Sequence, residues 1–172
     1  RAATAERTLL EKARGHADAI RLGRFVAGGA PLAVALPDNY FIGDTPGLSQ
    51  LIDVYKRTGK GVVAIVKLTG ANKDRYGPTA IYPGRVEEKE FIIQSIPEKG
   101  SRSNTFDLKG AATAFTGVGR YVFLPGVFAT IDEVEAARSK DKELDDITVM
   151  QLLLKRGRLP GSLLRGDLRD CG

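Results

Sequence analysis

The chain has 172 residues, 42% hydrophobic and 27% charged, with a net charge of +5, enough for one domain with a real hydrophobic core. No apolar stretch approaches the ~20 residues that span a bilayer, and the mild positive charge comes with no tryptophan and no Lys/Arg block interleaved with aromatics, which argues against a nucleic-acid face. Cys171 is the single cysteine and His16 the single histidine, so an intrachain disulfide and a multi-histidine metal site are excluded and a reducing cytoplasm is the expected setting.

Residues 1–26 read as two helical stretches parted by Gly15. Leu9, Leu10 and Ala13 form one apolar stripe; Ala17, Ile20 and the Phe25-Val26 pair form the next. His16 then opens the second helix, where free N–H groups favour anions or ring acceptors; the plainer alternative is a helix-start residue packed on its neighbours. Gly28-Gly29 turns into residues 32–36, a continuous apolar run that predicts a central strand buried on both faces. The run ends at Pro37-Asp38. Ligands gather outside the carboxyl ends of such strands, so Asp38 stands where a metal or phosphate chemistry needs an acid, unless it merely opens a turn. Thr45-Pro46 predicts a helix start, with Thr45 as N-cap and Pro46 first. Leu48, Leu51, Ile52 and Tyr55 repeat at helical spacing up to Gly59, a natural stop. Residues 62–66 are a second apolar strand, which completes a β–α–β unit with an expected parallel pair.

Residues 69–83 read as a polar loop and a short strand, with Tyr76-Gly77-Pro78 marking a turn or a close approach of ligand to backbone. A turn over 85–89 and a strand over 90–96 predict an antiparallel hairpin. Pro97-Glu98-Lys99-Gly100 then sets an acid beside a base, and residues 100–110 follow as a polar loop. Residues 113–124 are strand-like; Gly117 and Gly119 inside them signal a bulge or a close approach. A helix runs from Pro125 to about Arg138. Asp145-Asp146 suit the positive end of another helix over 148–155, with Val149, Leu152 and Leu153 inward. Residues 161–165 form a last short strand, and a turn delivers Asp170. The expected architecture is a mixed α/β sheet in a single domain over 1–172. With no initial methionine and an end at Asp170-Cys171-Gly172, the chain reads as a piece of a longer protein.

Eight segments fall in a meaningful order. They are Gly15-His16-Ala17, Pro31-Leu32-Ala33-Val34-Ala35-Leu36-Pro37-Asp38, Leu48-Ser49-Gln50-Leu51-Ile52-Asp53-Val54-Tyr55 with Thr58-Gly59, Arg75-Tyr76-Gly77, Glu98-Lys99, Val118-Gly119-Arg120-Tyr121-Val122-Phe123, Glu143-Leu144-Asp145-Asp146 and Asp170-Cys171-Gly172. In that order and spacing the chain resembles the bacterial glucose-1-phosphate uridylyltransferases. The resemblance implies a Rossmann-like mixed β-sheet flanked by helices, incomplete here. It implies a cytoplasmic enzyme, homo-oligomeric, that turns UTP and glucose 1-phosphate into UDP-glucose and pyrophosphate with Mg²⁺. By the same likeness Asp38 and Asp170 would hold the metal and Lys99 the sugar phosphate. Gly15 and His16 would line the nucleotide base, and Gly77, Glu98, Val118 and Gly119 would fall at the sugar. Positioning and charge neutralisation carry such a reaction, since the attacking phosphate is already ionised and needs no general base. Departures keep alternatives open. The family's glycine-rich N-terminal signature is absent, so this piece alone is expected not to catalyse. Arg14, Gly100 and Arg169 stand where other residue types are usual. A related transferase with another sugar phosphate or nucleotide, or a degenerate binding or regulatory paralogue, would also fit.

Overall fold

The computed structural model describes residues 14–69, 80–87, 90–96, 115–157 and 159–170. Among the described residues four helices, α1 (His16–Ala27), α2 (Gly47–Thr58), α3 (Val127–Ala137) and α4 (Asp146–Lys155), accompany eight strands. The strands are β1 (Leu32–Ala35), β2 (Asn39–Ile42), β3 (Val62–Lys67), β4 (Ala80–Glu87), β5 (Glu90–Ser95), β6 (Phe115–Phe123), β7 (Pro160–Leu163) and β8 (Asp167–Asp170). Six of them form one sheet in the order β1-β6-β3-β7-β5-β4, with β4 also returning to β6; β2 and β8 form a separate ribbon. Among the described strands only β3 and β7 pair in parallel. The architecture is the mixed α/β sheet expected. Among the described residues no helix is long and apolar enough to cross a membrane.

The sheet has a core on each face, and β3 feeds both. Successive strand side chains point to opposite faces. Val63 and Ile65 accordingly pack with Ala17, Ile20, Ile131 and Leu144 under α1, α3 and α4. Val62, Ala64 and Val66 pack with Leu51, Val54 and Val122 under α2. Each large side chain so buried contributes about 1.5–3 kcal/mol. α2 ends as expected at Gly59, whose left-handed backbone (φ 68°) lets its N–H return to Tyr55 O.

Three expectations need correction. The central strand buried on both faces is β3; among the described strands β1 pairs only with β6 and ends the sheet's order. Ala33 and Ala35 are exposed and only Leu32 and Val34 are half-buried. The apolar run of β1 is the same in either position, and the antiparallel β6, arriving some eighty residues later, separates it from β3. The expected adjacent parallel pair is therefore absent among the described residues. Phe25 and Val26 are not on the inward stripe but are 84% and 73% exposed. The inward stripe of α1 runs through Ala17, Ile20 and Ala27 at helical spacing, and the pair falls between its rungs. Finally α2 begins at Gly47 with Pro46 as N-cap; Thr45 makes no side-chain cap, and its carbonyl is taken by the Gln50 side chain instead. Residues 1–13, with the Leu9-Leu10-Ala13 stripe, lie outside the described residues.

Candidate functional site

The β2–β8 ribbon joins distant parts of the chain. Its strands run antiparallel with Asn39 opposite Asp170 and Ile42 opposite Asp167. Asp38 is the residue before Asn39, so the fold brings the backbones of the two acids proposed as metal ligands to one end of one ribbon. The Asp38 carboxylate is exposed and accepts one hydrogen bond, from its neighbour Asn39 Nδ2 (2.8 Å). It has no ion-pair partner among the described residues. Among those residues there is no cluster of three or more His, Cys, Asp or Glu side chains fit to hold a metal. Any metal here would need substrate oxygens or water to complete its shell, which is the habit of Mg²⁺.

The other end of the ribbon is locked by close packing. Gln50 on α2 donates to Thr45 O (2.9 Å) and Arg165 O (3.1 Å) and accepts from Arg165 N (2.9 Å). Gly166 has φ 141°, and a Cβ there would lie 2.4 Å from Ile42 O. These contacts fix the register of β8 against β2. A slip of one residue would turn every β8 side chain to the other face. A cavity of about 1150 Å³ lies beside this end, lined by Asp44, Asp53, Arg57, Arg165 and Asp167 among others. It is removed from Asp38 and Asp170 by the length of the ribbon.

The turn that carries Asp38 rests on a bulge in β6. Val63 pairs with Tyr121 and Ile65 with Gly117, so β6 spends two extra residues there. Gly119, in the bulge, has φ 57°, and a Cβ on it would lie 2.9 Å from Leu36 Cβ. Its carbonyl accepts from Leu36 N at 2.8 Å. The next residue, Arg120, donates from Nη1 to Leu36 O (2.9 Å) and Gly119 O (3.3 Å), and from Nη2 to Asn39 O. The bulge anticipated from Gly117 and Gly119 is thus real, and the close approach is by Leu36. Val118 is buried in the core under α2.

A third junction surrounds His16. Gly15 has φ 113°, and a Cβ on it would fall 2.3 Å from Leu144 O. Glycine therefore lets two backbone bonds form, Leu144 N to Arg14 O (2.7 Å) and Ala17 N to Leu144 O (3.0 Å). This clasp sets His16, at the start of α1, over Asp146, at the start of α4. His16 Nδ1 stands 3.5 Å from Asp146 Oδ1, and Tyr121 donates its hydroxyl to Asp146 Oδ2 at 2.9 Å. Asp146 is 7% exposed and Tyr121 4%, whereas the His16 side chain is 58% exposed. Burial raises the Asp146 carboxyl, but the hydrogen bonds from His16 and Tyr121 and the charge of His16 outweigh it, and its pKa lies below the ordinary value. Burial, then the neighbouring Asp146 carboxylate, then the charge of Asp38 push the Tyr121 hydroxyl well above its usual 10.0. Asp145, not Asp146, caps α4, accepting from Thr148 N at 2.7 Å. His16 is thus a helix-start residue, but one held by a buried carboxylate.

Gly77, Glu98 and Lys99 lie outside the described residues, as do Cys171 and Gly172. The sequence points to Asp38, Asp170, Gly15 and His16 but gives no site role to Arg120 or Tyr121, and gives Asp146 only a place at a helix start. The available signal was their membership of the Gly119-Arg120-Tyr121 and Leu144-Asp145-Asp146 motifs. Arg14, an unusual residue before Gly15, pairs with Glu135 at 2.8 Å and ties α1 to α3.

Comparison with known proteins matches the nucleotidyl transferase family over residues 3–172. Among curated relatives, UTP–glucose-1-phosphate uridylyltransferase 2 of Staphylococcus saprophyticus is 31% identical over 165 residues, covering 94% of this chain and 52% of the relative. The UTP–glucose-1-phosphate uridylyltransferase of Staphylococcus epidermidis is 29% identical over 139 residues, 79% of this chain and 44% of its own. A crystal structure of a UDP-glucose pyrophosphorylase complexed with UDP-glucose superimposes with a TM-score of 0.74 at 24% identity, over 93% of this chain and 58% of that one. That likeness establishes the fold. The chain spans about half the length of the curated relatives it matches.

Proposed function

The chain belongs to the nucleotidyl transferase family, and from that membership we propose that the full-length protein is a cytoplasmic sugar nucleotidyltransferase that joins UTP and glucose 1-phosphate into UDP-glucose and pyrophosphate. The observation that supports this most is the register of the ribbon, Asn39 opposite Asp170. It draws two acids 132 residues apart in sequence to one end of one element. The substrates are those for which the related uridylyltransferases are named.

Two carboxylates, with no ion-pair partner of Asp38 among the described residues, suit a hard divalent ion, and Asp38 and Asp170 would hold Mg²⁺. Bound there, the ion would neutralise charge building on the transferred phosphoryl group. The remaining work falls to the chain. His16, exposed and braced from below by Asp146, is proposed to lie against the nucleotide base with Gly15. Lys99 is proposed to hold the sugar phosphate as a point charge, and Gly77, Glu98, Val118 and Gly119 to form the sugar side. Both substrates are anions, so orienting them and offsetting their repulsion supplies the rate.

The test is ³¹P NMR of the full-length protein with each nucleoside triphosphate paired with each of several sugar 1-phosphates. Pyrophosphate should form fastest from UTP and glucose 1-phosphate and require a divalent cation. No pyrophosphate from any pair would refute the reading; a faster pair of other substrates would replace it within the family.

A further inference from the structure

We propose that Arg120 is a positioning residue for Asp38, setting the carboxylate's direction through the backbone of the Leu36–Asn39 turn rather than by touching it. The proposal rests on Asp38 acting as a metal ligand. The guanidinium is a planar fork with donors on both sides. Here the fork spans the turn: Nη1 holds Leu36 O at its entrance and Nη2 holds Asn39 O at its exit. Asn39 in turn passes the constraint on, since its side-chain amide donates to Asp38 Oδ1 at 2.8 Å. The sequence of contacts is Arg120, Asn39 backbone, Asn39 side chain, Asp38.

Two features show that the fork is aimed at the turn. The bulge of β6 and the left-handed Gly119 bring Arg120 round to face the residues after β1. Leu36 N bonds to Gly119 O, so the base of the fork and the start of the turn are one unit. Among the described residues, every hydrogen bond that the Arg120 side chain makes goes to a carbonyl. A cation bonded directly to Asp38 would neutralise it and compete with a metal. Bonded to carbonyls, Arg120 leaves the Asp38 carboxylate, held at Oδ1 by Asn39, without a competing cation while fixing where it points. Groups that orient a ligand in this way typically alter metal affinity 10- to 100-fold when removed.

The experiment compares the full-length protein with its Arg120→Lys variant. A lysine reaches one carbonyl but cannot bridge two. Mn²⁺ alone is the probe, followed by loss of the free-ion signal in electron paramagnetic resonance. Hydrogen exchange at the Leu36 amide and the urea midpoint are measured alongside. Expected are Mn²⁺ binding weakened about tenfold, faster Leu36 exchange and an unchanged urea midpoint. Wild-type Mn²⁺ affinity and wild-type exchange in the variant would overturn the proposal. If the unaltered protein binds no Mn²⁺, the metal role of Asp38 fails; Leu36 exchange then decides on Arg120, an unchanged rate refuting the clamp and a faster one upholding it. Should Arg120→Lys not fold, Arg120→Gln, which keeps one carbonyl contact, is read in the same way.

Discussion

Replacing Gly15 by alanine tests how the chain builds its base-side junction. The backbone there has φ 113°, and the added Cβ would sit 2.3 Å from Leu144 O and 2.7 Å from Leu144 C. Neither atom is the end of a flexible side chain, so the two backbone segments of the clasp must separate. The strained backbone costs about 1–3 kcal/mol. Losing the two bonds between residues 14, 17 and 144 adds about 0.5–1.5 kcal/mol each. The expected destabilisation is therefore about 2–6 kcal/mol, read as a lowered urea midpoint at constant slope. Gly28→Ala is the control. Gly28 is also left-handed, at φ 54°, but a Cβ there meets nothing within 4 Å, so only the backbone penalty of about 1 kcal/mol remains. If the two variants lose the same stability, the clash with Leu144 is not what requires glycine at position 15, and the account of the clasp is wrong.

Tyr121→Phe removes the donor to a buried carboxylate and should destabilise by about 1.5–3 kcal/mol, measured by urea unfolding at pH 7; a loss under 0.5 kcal/mol would mean that another group satisfies Asp146. The depressed pKa of Asp146 stabilises the fold at pH values above its unfolded-state value of about 3.9. That contribution should vanish as the pH falls through the lower folded-state value, so Asp146→Asn should flatten stability against pH below about 4; an unchanged acid limb would count against the pairing. Gln50→Ala breaks two bonds between α2 and Arg165 of the β7–β8 turn and a third to Thr45 O before α2. It should cost about 1–3 kcal/mol and speed amide exchange along residues 39–42 and 167–170, while exchange confined to α2 would show that Gln50 does not hold the ribbon.

Local signals were readable wherever they settled the matter alone. Residues 62–66 are apolar on both faces because both faces meet a core, and Gly59 ends α2 by a bond to Tyr55 four residues back. The ribbon was not readable as a ribbon. β2 and β8 are four residues each, pair only with one another among the described strands, and expose Tyr40 and Ile42, so neither carries the run of buried residues by which a strand is recognised. The glycines at 15 and 119 were visible as punctuation, but their partners, Leu144 and Leu36, lie far off in the sequence. The same distance hid the junction of His16, Tyr121 and Asp146. A charged pair at the start of a helix looks like a cap, and Asp145 is one. Only the fold reveals that Asp146 beside it is turned inward to a tyrosine and a histidine. The placement of β1 was misread for a related reason: composition reports what a strand can tolerate, and neighbours decide where it lies.

The central claim is that Asp38 and Asp170 act as one unit. Pyrophosphate formation from UTP and glucose 1-phosphate by the full-length protein should fall at least about a hundredfold in Asp38→Asn and equally in Asp170→Asn. The double variant should be no slower than either single one, because residues that serve one charge-stabilising centre are not additive. Losses that multiply in the double variant, or a single variant that keeps full activity, would contradict it.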